Sequence, residues 1–131
     1  MALHPRDRRR DVPPRSVTLV YYVGIDLAWG QKRPTGVAVL DVSGRLQHVQ
    51  AMVDDDEILA AVTPYVVDDC VVAFDAPLIV TNPTGNRPAE AALNRDFARF
   101  EAGAHPSNTG KPELANPRGA ILSLSLIHIS E

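Results

Sequence analysis

Two carboxylates stand at the ends of hydrophobic runs, Asp26 in VGIDLAWG and Asp75 in VVAFDAPLIV. A lone charge is costly to bury, so an acid that closes an apolar strand calls for a partner. Each acid shares its side of the strand with small residues: Gly24 and Ala28 for Asp26, Ala73 and Pro77 for Asp75. If the two strands are neighbours, both acids emerge at one end of the sheet beside a space that no large side chain fills. Adjacent carboxylates repel each other, and a divalent cation relieves that repulsion. Hard oxygen ligands suit Mg2+ or Mn2+, and such ions can activate a water and stabilise the leaving oxygen of a phosphodiester. The competing reading is that each aspartate only caps a strand or the turn after it.

A second group of candidates follows Asp75. The turn-rich TNPTGNRP leads into PAEAALNRDFARFEAG, where Pro88 suits a first helical position and Gly103 a C-terminal cap. Leu93, Phe97 and Phe100 form an apolar stripe, and Arg87, Glu90, Asn94 and Arg95 project elsewhere. Read for function, Arg87 and Arg95 are phosphate clamps and Glu90 is a third metal ligand or an orienting acid. Read for structure, they belong to a solvated face with Glu90–Asn94 and Asp96–Arg99 pairs. His105, in AGAHPSNTGKP, has the titration range of a general acid or base, or is an inert loop residue. Trp29, beside Asp26, either stacks on a base or covers the strand edge.

The elements that must hold these residues can be read from periodicity. Val17–Leu27 alternates with one fully apolar face, and strands over Gly36–Val42 and Arg45–Val53 follow through short links, which predicts an antiparallel meander. DDDEILAAVTPYV predicts a helix whose acids cap its start and complement its dipole; a metal site there is the lesser reading. CVVAFDAPLIV is short and almost wholly apolar, as expected of a central strand buried on both faces.

The chain has 131 residues, 45% of them hydrophobic, enough for one domain with a real core. No apolar run reaches the roughly 18 residues of a membrane helix, and no secretory segment is evident, so the expectation is a cytoplasmic protein without a membrane partner. Cys70 is the single cysteine, which excludes a disulfide framework and predicts a reduced, packed thiol. Residues 1–15 carry five arginines against two aspartates, leaving a net −6 for the rest of a chain whose total is −3. The lead-in is expected to be disordered, with the domain starting at Ser16. Phosphate-loop, dinucleotide-turn, paired-cysteine and nucleophile-elbow motifs are absent.

Meander, helix and strand, with acids ending the first and fourth strands, resemble the ribonuclease H-like fold. More narrowly, VGIDLAWG, TGVAVLD, VVAFDAPLIV, NPTGNRPAEAALNRDFARF and GAHPSNTG resemble the bacterial and archaeal domain-of-unknown-function family 429, over about Val20 to Gly119. The resemblance implies an α/β ribonuclease H-like mixed sheet and a metal-dependent nuclease acting on nucleic acid. It also implies that Asp26 and Asp75 are the first two metal-binding acids and that Mg2+ or Mn2+ is the cofactor. Sugar kinases and actin-like ATPases share the opening strand and aspartate, but they require two such domains and glycine-rich phosphate loops. A catalytically inactive binding module is the third possibility.

The tail ILSLSLIHISE alternates and reads as a fifth strand. LSLIHISE, Leu124–Glu131, is also what one frame of a transposon-end sequencing adapter encodes. The expectation is therefore that the natural protein is represented over residues 16–120, with 121–131 translated adapter, so that the fold is incomplete at its C-terminus. Nucleases of this fold generally complete their metal site with an acid on a C-terminal helix, and no such helix is expected after Gly119. An inactive fragment with exposed apolar surface is the expected consequence.

Overall fold

Strict alternation in the first apolar run produces a strand with two unlike faces. In the computed structural model, which describes residues 20–129, β1 (Tyr21–Asp26) buries Val23 and Ile25, Leu27 continues that buried side, and Tyr22, Gly24 and Asp26 are exposed. β2 (Thr35–Asp41) pairs antiparallel with β1, setting Ile25 opposite Val37 and Asp26 opposite Gly36. β3 (Leu46–Met52) pairs antiparallel with β2, with a register shift between Val39 and Leu40. The connecting turn is tied by Asp41, whose carboxylate accepts from the Ser43 hydroxyl at 2.6 Å and from the backbone N–H of Arg45 at 3.0 Å. These donors hold its carboxyl below the usual range. Gly44 takes the left-handed φ of +78° that the turn requires. The lead-in over 1–15, the boundary at Ser16 and a strand start at Val17 lie outside the described residues.

α1 (Asp55–Val62) is capped as its acids predict, with the Asp54 carboxylate accepting from the Asp56 N–H at 2.8 Å. It buries Ile58 and Val62 against the sheet's inner face and ends in a 3-10 turn over Thr63–Tyr65. β4 (Cys70–Asp75) then pairs parallel with β1, giving the order β3-β2-β1-β4. The protein is thus an α/β domain with a mixed four-stranded sheet containing one parallel pair.

β4 is not a central strand buried on both faces: it lies at the edge of the described sheet, Val72 and Phe74 are half-buried, and Val71 is 55% exposed. Nor is the tail a fifth strand, because Arg118–Ile129 forms a helix, α4. Leu122, Leu126 and Ile129 also fit helical spacing, and they turn inward onto the core that α1 shares. The serines that suggested alternation bond back along the helix, Ser123 Oγ to Ala120 O at 2.9 Å and Ser125 Oγ to Ile121 O at 3.1 Å. The expectation of no helix after Gly119 falls with it, although α4 carries no acid over Arg118–Ile129.

α4 enters the core through Gly119, where a Cβ would stand 2.9 Å from Leu78 Cδ2 and 3.2 Å from Ala76 Cβ. Gly119→Val is expected to cost about 2 kcal/mol by overpacking, read as a lower urea midpoint at unchanged slope. A neutral result would show that α4 does not pack there.

α1 and α4 cover one face of the sheet; on the other, Tyr22, Leu40, Val49 and Val71 remain exposed among the described residues, giving the apolar surface expected of this chain. α2 (Pro88–Phe97) and the short α3 (Pro112–Ala115) lie in the connection from β4 to α4. The expected α2 stripe is overturned: Leu93, Phe97 and Phe100 are all exposed, and the buried residue of the helix is Glu90. A 3-10 turn over Ala98–Phe100 ends with Glu101 in the left-handed region, φ 60°, so Gly103 is not the cap.

Candidate functional site

The parallel pairing of β1 with β4 puts Asp26 and Asp75 directly opposite each other at the same end of adjacent strands. Their backbones are therefore about 4.8 Å apart, one strand spacing. Both side chains are on the exposed face, over a floor that includes Gly24, Gly36, Ala38, Ala51 and Ala73. Gly36 lies beside Asp26, and a Cβ there would touch Asp26 Cβ at 3.8 Å. Small residues thus leave the carboxylates open from above and from the β2 side. Two such oxygen donors suit a hard divalent cation. Among the described residues no group of three or more acids, histidines or cysteines is placed to hold a metal, so neither Glu90 nor His105 joins the pair.

The positions of the two acids are fixed from below. Just past Asp26, the Leu27 N–H donates to Asp75 O at 3.3 Å and the Ala28 N–H to the buried Thr35 Oγ1 at 3.2 Å. Arg118, only 8% exposed, locks the same corner. One of its terminal nitrogens donates to Ala28 O at 3.2 Å, Gly30 O at 3.3 Å and Thr35 Oγ1 at 3.4 Å; the other donates to Val53 O at 2.8 Å. Its guanidinium also pairs with Asp55. Arg118 is the residue that sequence reasoning missed. The one signal is Asp55, in an acidic run whose charge reads chiefly as helix capping and not as the partner of a distant arginine.

Glu90 has a different position. Its carboxylate accepts from the Arg87 N–H at 2.8 Å, Arg87 Nε at 2.8 Å and the Ser107 N–H at 3.0 Å. Burial alone raises a carboxyl pKa, but these donors overcome it and hold Glu90 at about 2. Asn94, one turn on, clamps Ala104 through both its amide atoms, at 2.6 and 3.0 Å. The polar face of α2 is thus the docked one, and it fastens the loop that carries His105. Arg87 is taken up by Glu90 and by Ile79 O at 3.2 Å, and Arg95 by Asp96. Because the folded pKa lies below the ordinary 4.5, this contribution to stability is present above pH 4.5 and lost as pH falls towards 2. Glu90→Gln is expected to flatten the fall in stability across that window, measured by urea unfolding at stepped pH; an unchanged slope refutes the assignment.

Trp29 is half-buried at the tip of the loop that Arg118 secures. The exposed His105 ring stands edge-on to it, centroids 6.4 Å apart at 88°, and Lys111 Nζ lies 4.8 Å over the indole. The structure thus brings these two candidates together with each other. Cys70 is a free, half-buried thiol, and no described helix is long and apolar enough to cross a membrane.

Among known protein families, the model of one described as "Protein of unknown function (DUF429)" fits residues 24–124. No curated protein and no solved structure matches.

Proposed function

The chain belongs to the DUF429 family, and on that premise we propose that it is a ribonuclease H-like domain whose Asp26 and Asp75 hold a Mg2+ or Mn2+ ion for phosphodiester hydrolysis. The observation that carries this reading is the direct register of the two acids on an open, small-residue corner of the sheet. A bound divalent ion would supply Lewis-acid stabilisation of phosphate oxygens and a water of lowered pKa. The protein's own part is positional. Parallel pairing presents both carboxylates at one level, and Gly24, Gly36 and Ala73 leave a phosphate backbone room to approach. The Thr35–Arg118 network keeps the end of β1 from fraying away from β4.

Two carboxylates with no third beside them among the described residues predict weak affinity, a Kd on the order of 10⁻³ M, and little turnover by these 131 residues. Calorimetric titration with MnCl2, alongside cleavage assays on labelled single- and double-stranded DNA and RNA, tests this. Mn2+ binding that disappears in Asp26→Asn and Asp75→Asn supports the reading. Binding unchanged by both substitutions overturns it. Mg2+-dependent cleavage lost in Asp26→Asn would retain the site but refute the expectation of low activity.

A further inference from the structure

The loop cluster beside the metal corner has a chemistry of its own. Trp29, Gln31, Lys32, Arg33, His105 and Glu113 line one concavity, and Lys111 reaches over its indole. Lys32 and Lys111 are the chain's only lysines, and Trp29 is its only tryptophan. Among the described residues, Arg87, Arg95 and Arg118 sit in ion pairs, the Arg99 guanidinium lies 4.6 Å over the Phe100 ring, and Arg45 stands apart in the β2–β3 turn. Lys32, Arg33 and Lys111 have no carboxylate ion pair among the described residues. In an acidic body, three cations without a carboxylate partner gathered at one aromatic ring form a local site for an anion that also carries a flat, polarizable group.

We propose that this concavity binds a nucleotide, with its phosphate on Lys32, Arg33 and Lys111 and its base against Trp29. Indole stacking tolerates any base, because every base has a π face, and lysines and arginines attract the phosphate. The Gln31 amide and the Glu113 carboxylate offer acceptors to amino groups on a base edge, which a bare phosphate or a sugar phosphate would leave unused. The Lys111 ammonium, held by the ring when no anion is present, is free to exchange that contact for a phosphate oxygen. Neither acid of the metal corner takes part, so the inference stands apart from the hydrolytic reading while agreeing with it.

A single tryptophan makes the test direct, because selectively excited indole emission reports this concavity alone. The 131-residue chain is titrated in EDTA with adenosine 5′-monophosphate, adenosine and inorganic phosphate. The expected result is saturable quenching by the monophosphate, with adenosine at least tenfold weaker, phosphate competing, and binding that weakens as salt rises. Lys32→Gln/Lys111→Gln should lose about tenfold in affinity for the monophosphate and little for adenosine, with an unchanged circular dichroism spectrum. No saturable quenching, equal affinity for adenosine, or a double variant that binds as well as the parent each overturns the proposal. Asp26→Asn serves as the separating control. It should bind the monophosphate normally in EDTA, so failure of the metal site and failure of the nucleotide site are distinguishable.

Discussion

Arg118→Met is expected to destabilise the protein by about 3 kcal/mol, enough to leave a marginal domain partly unfolded at room temperature. The guanidinium is buried and joins four segments: the start of α1 through Asp55, the β1–β2 loop through Ala28, Gly30 and Thr35, the exit of β3 through Val53, and α4 itself. Methionine keeps much of the side-chain length and apolar stem but makes none of these bonds. It leaves the partly buried Asp55 carboxylate and several partly buried carbonyl oxygens without their donor, and a group shielded from water costs more unsatisfied than a satisfied pair contributes. The double variant Arg118→Met/Asp55→Leu removes both charges and should recover part of the loss, a coupling read from a double-mutant cycle. Denaturant unfolding at pH 7 measures both. A loss below about 1 kcal/mol, or no recovery in the double variant, would mean that the network is a surface decoration rather than the joint between α4 and the sheet.

Asp26→Asn should change the sign of its effect with metal. Without divalent ions, two like charges directly opposite on neighbouring strands are mutually repulsive, so removing one is expected to stabilise the fold by about 0.5 kcal/mol. With Mn2+ at ten times Kd, the parent gains about 1.4 kcal/mol from binding to the folded state, and Asp26→Asn forfeits that gain. Melting curves with and without MnCl2 should therefore cross in rank order, and Asp75→Asn should behave alike. If instead each aspartate only caps a strand end, both substitutions destabilise equally whether or not metal is added, and the metal reading is refuted.

Periodicity in the chain was enough to place the first three strands and to pair them as a meander. Alternation through VYYVGIDL and TGVAVLD set the meander and its inward face, and the short link after β2 made it antiparallel. The acids before Ile58 set the start of α1. The shared face of Asp26 with Gly24, and of Asp75 with Ala73, also followed from the period of two. These features were legible because they depend on near neighbours in sequence.

Other features depended on contacts between distant segments, and there the sequence was silent or misleading. Burial of Glu90, rather than of Leu93, Phe97 and Phe100, is decided by donors from Arg87 and Ser107 that no helical pattern records. The tail's alternation fits both a strand and a helix, and packing of Leu122 and Leu126 onto the α1 side of the sheet selects the helix. Lys111 meets Trp29 across more than eighty residues, and Arg118 meets Asp55 across sixty-three. Local pattern fixes the strands and the faces that carry the two aspartates. Only the tertiary structure brings those aspartates into register, seals the corner with Arg118 and gathers the lysines around the indole, because each of these depends on atoms that chain spacing leaves unrelated.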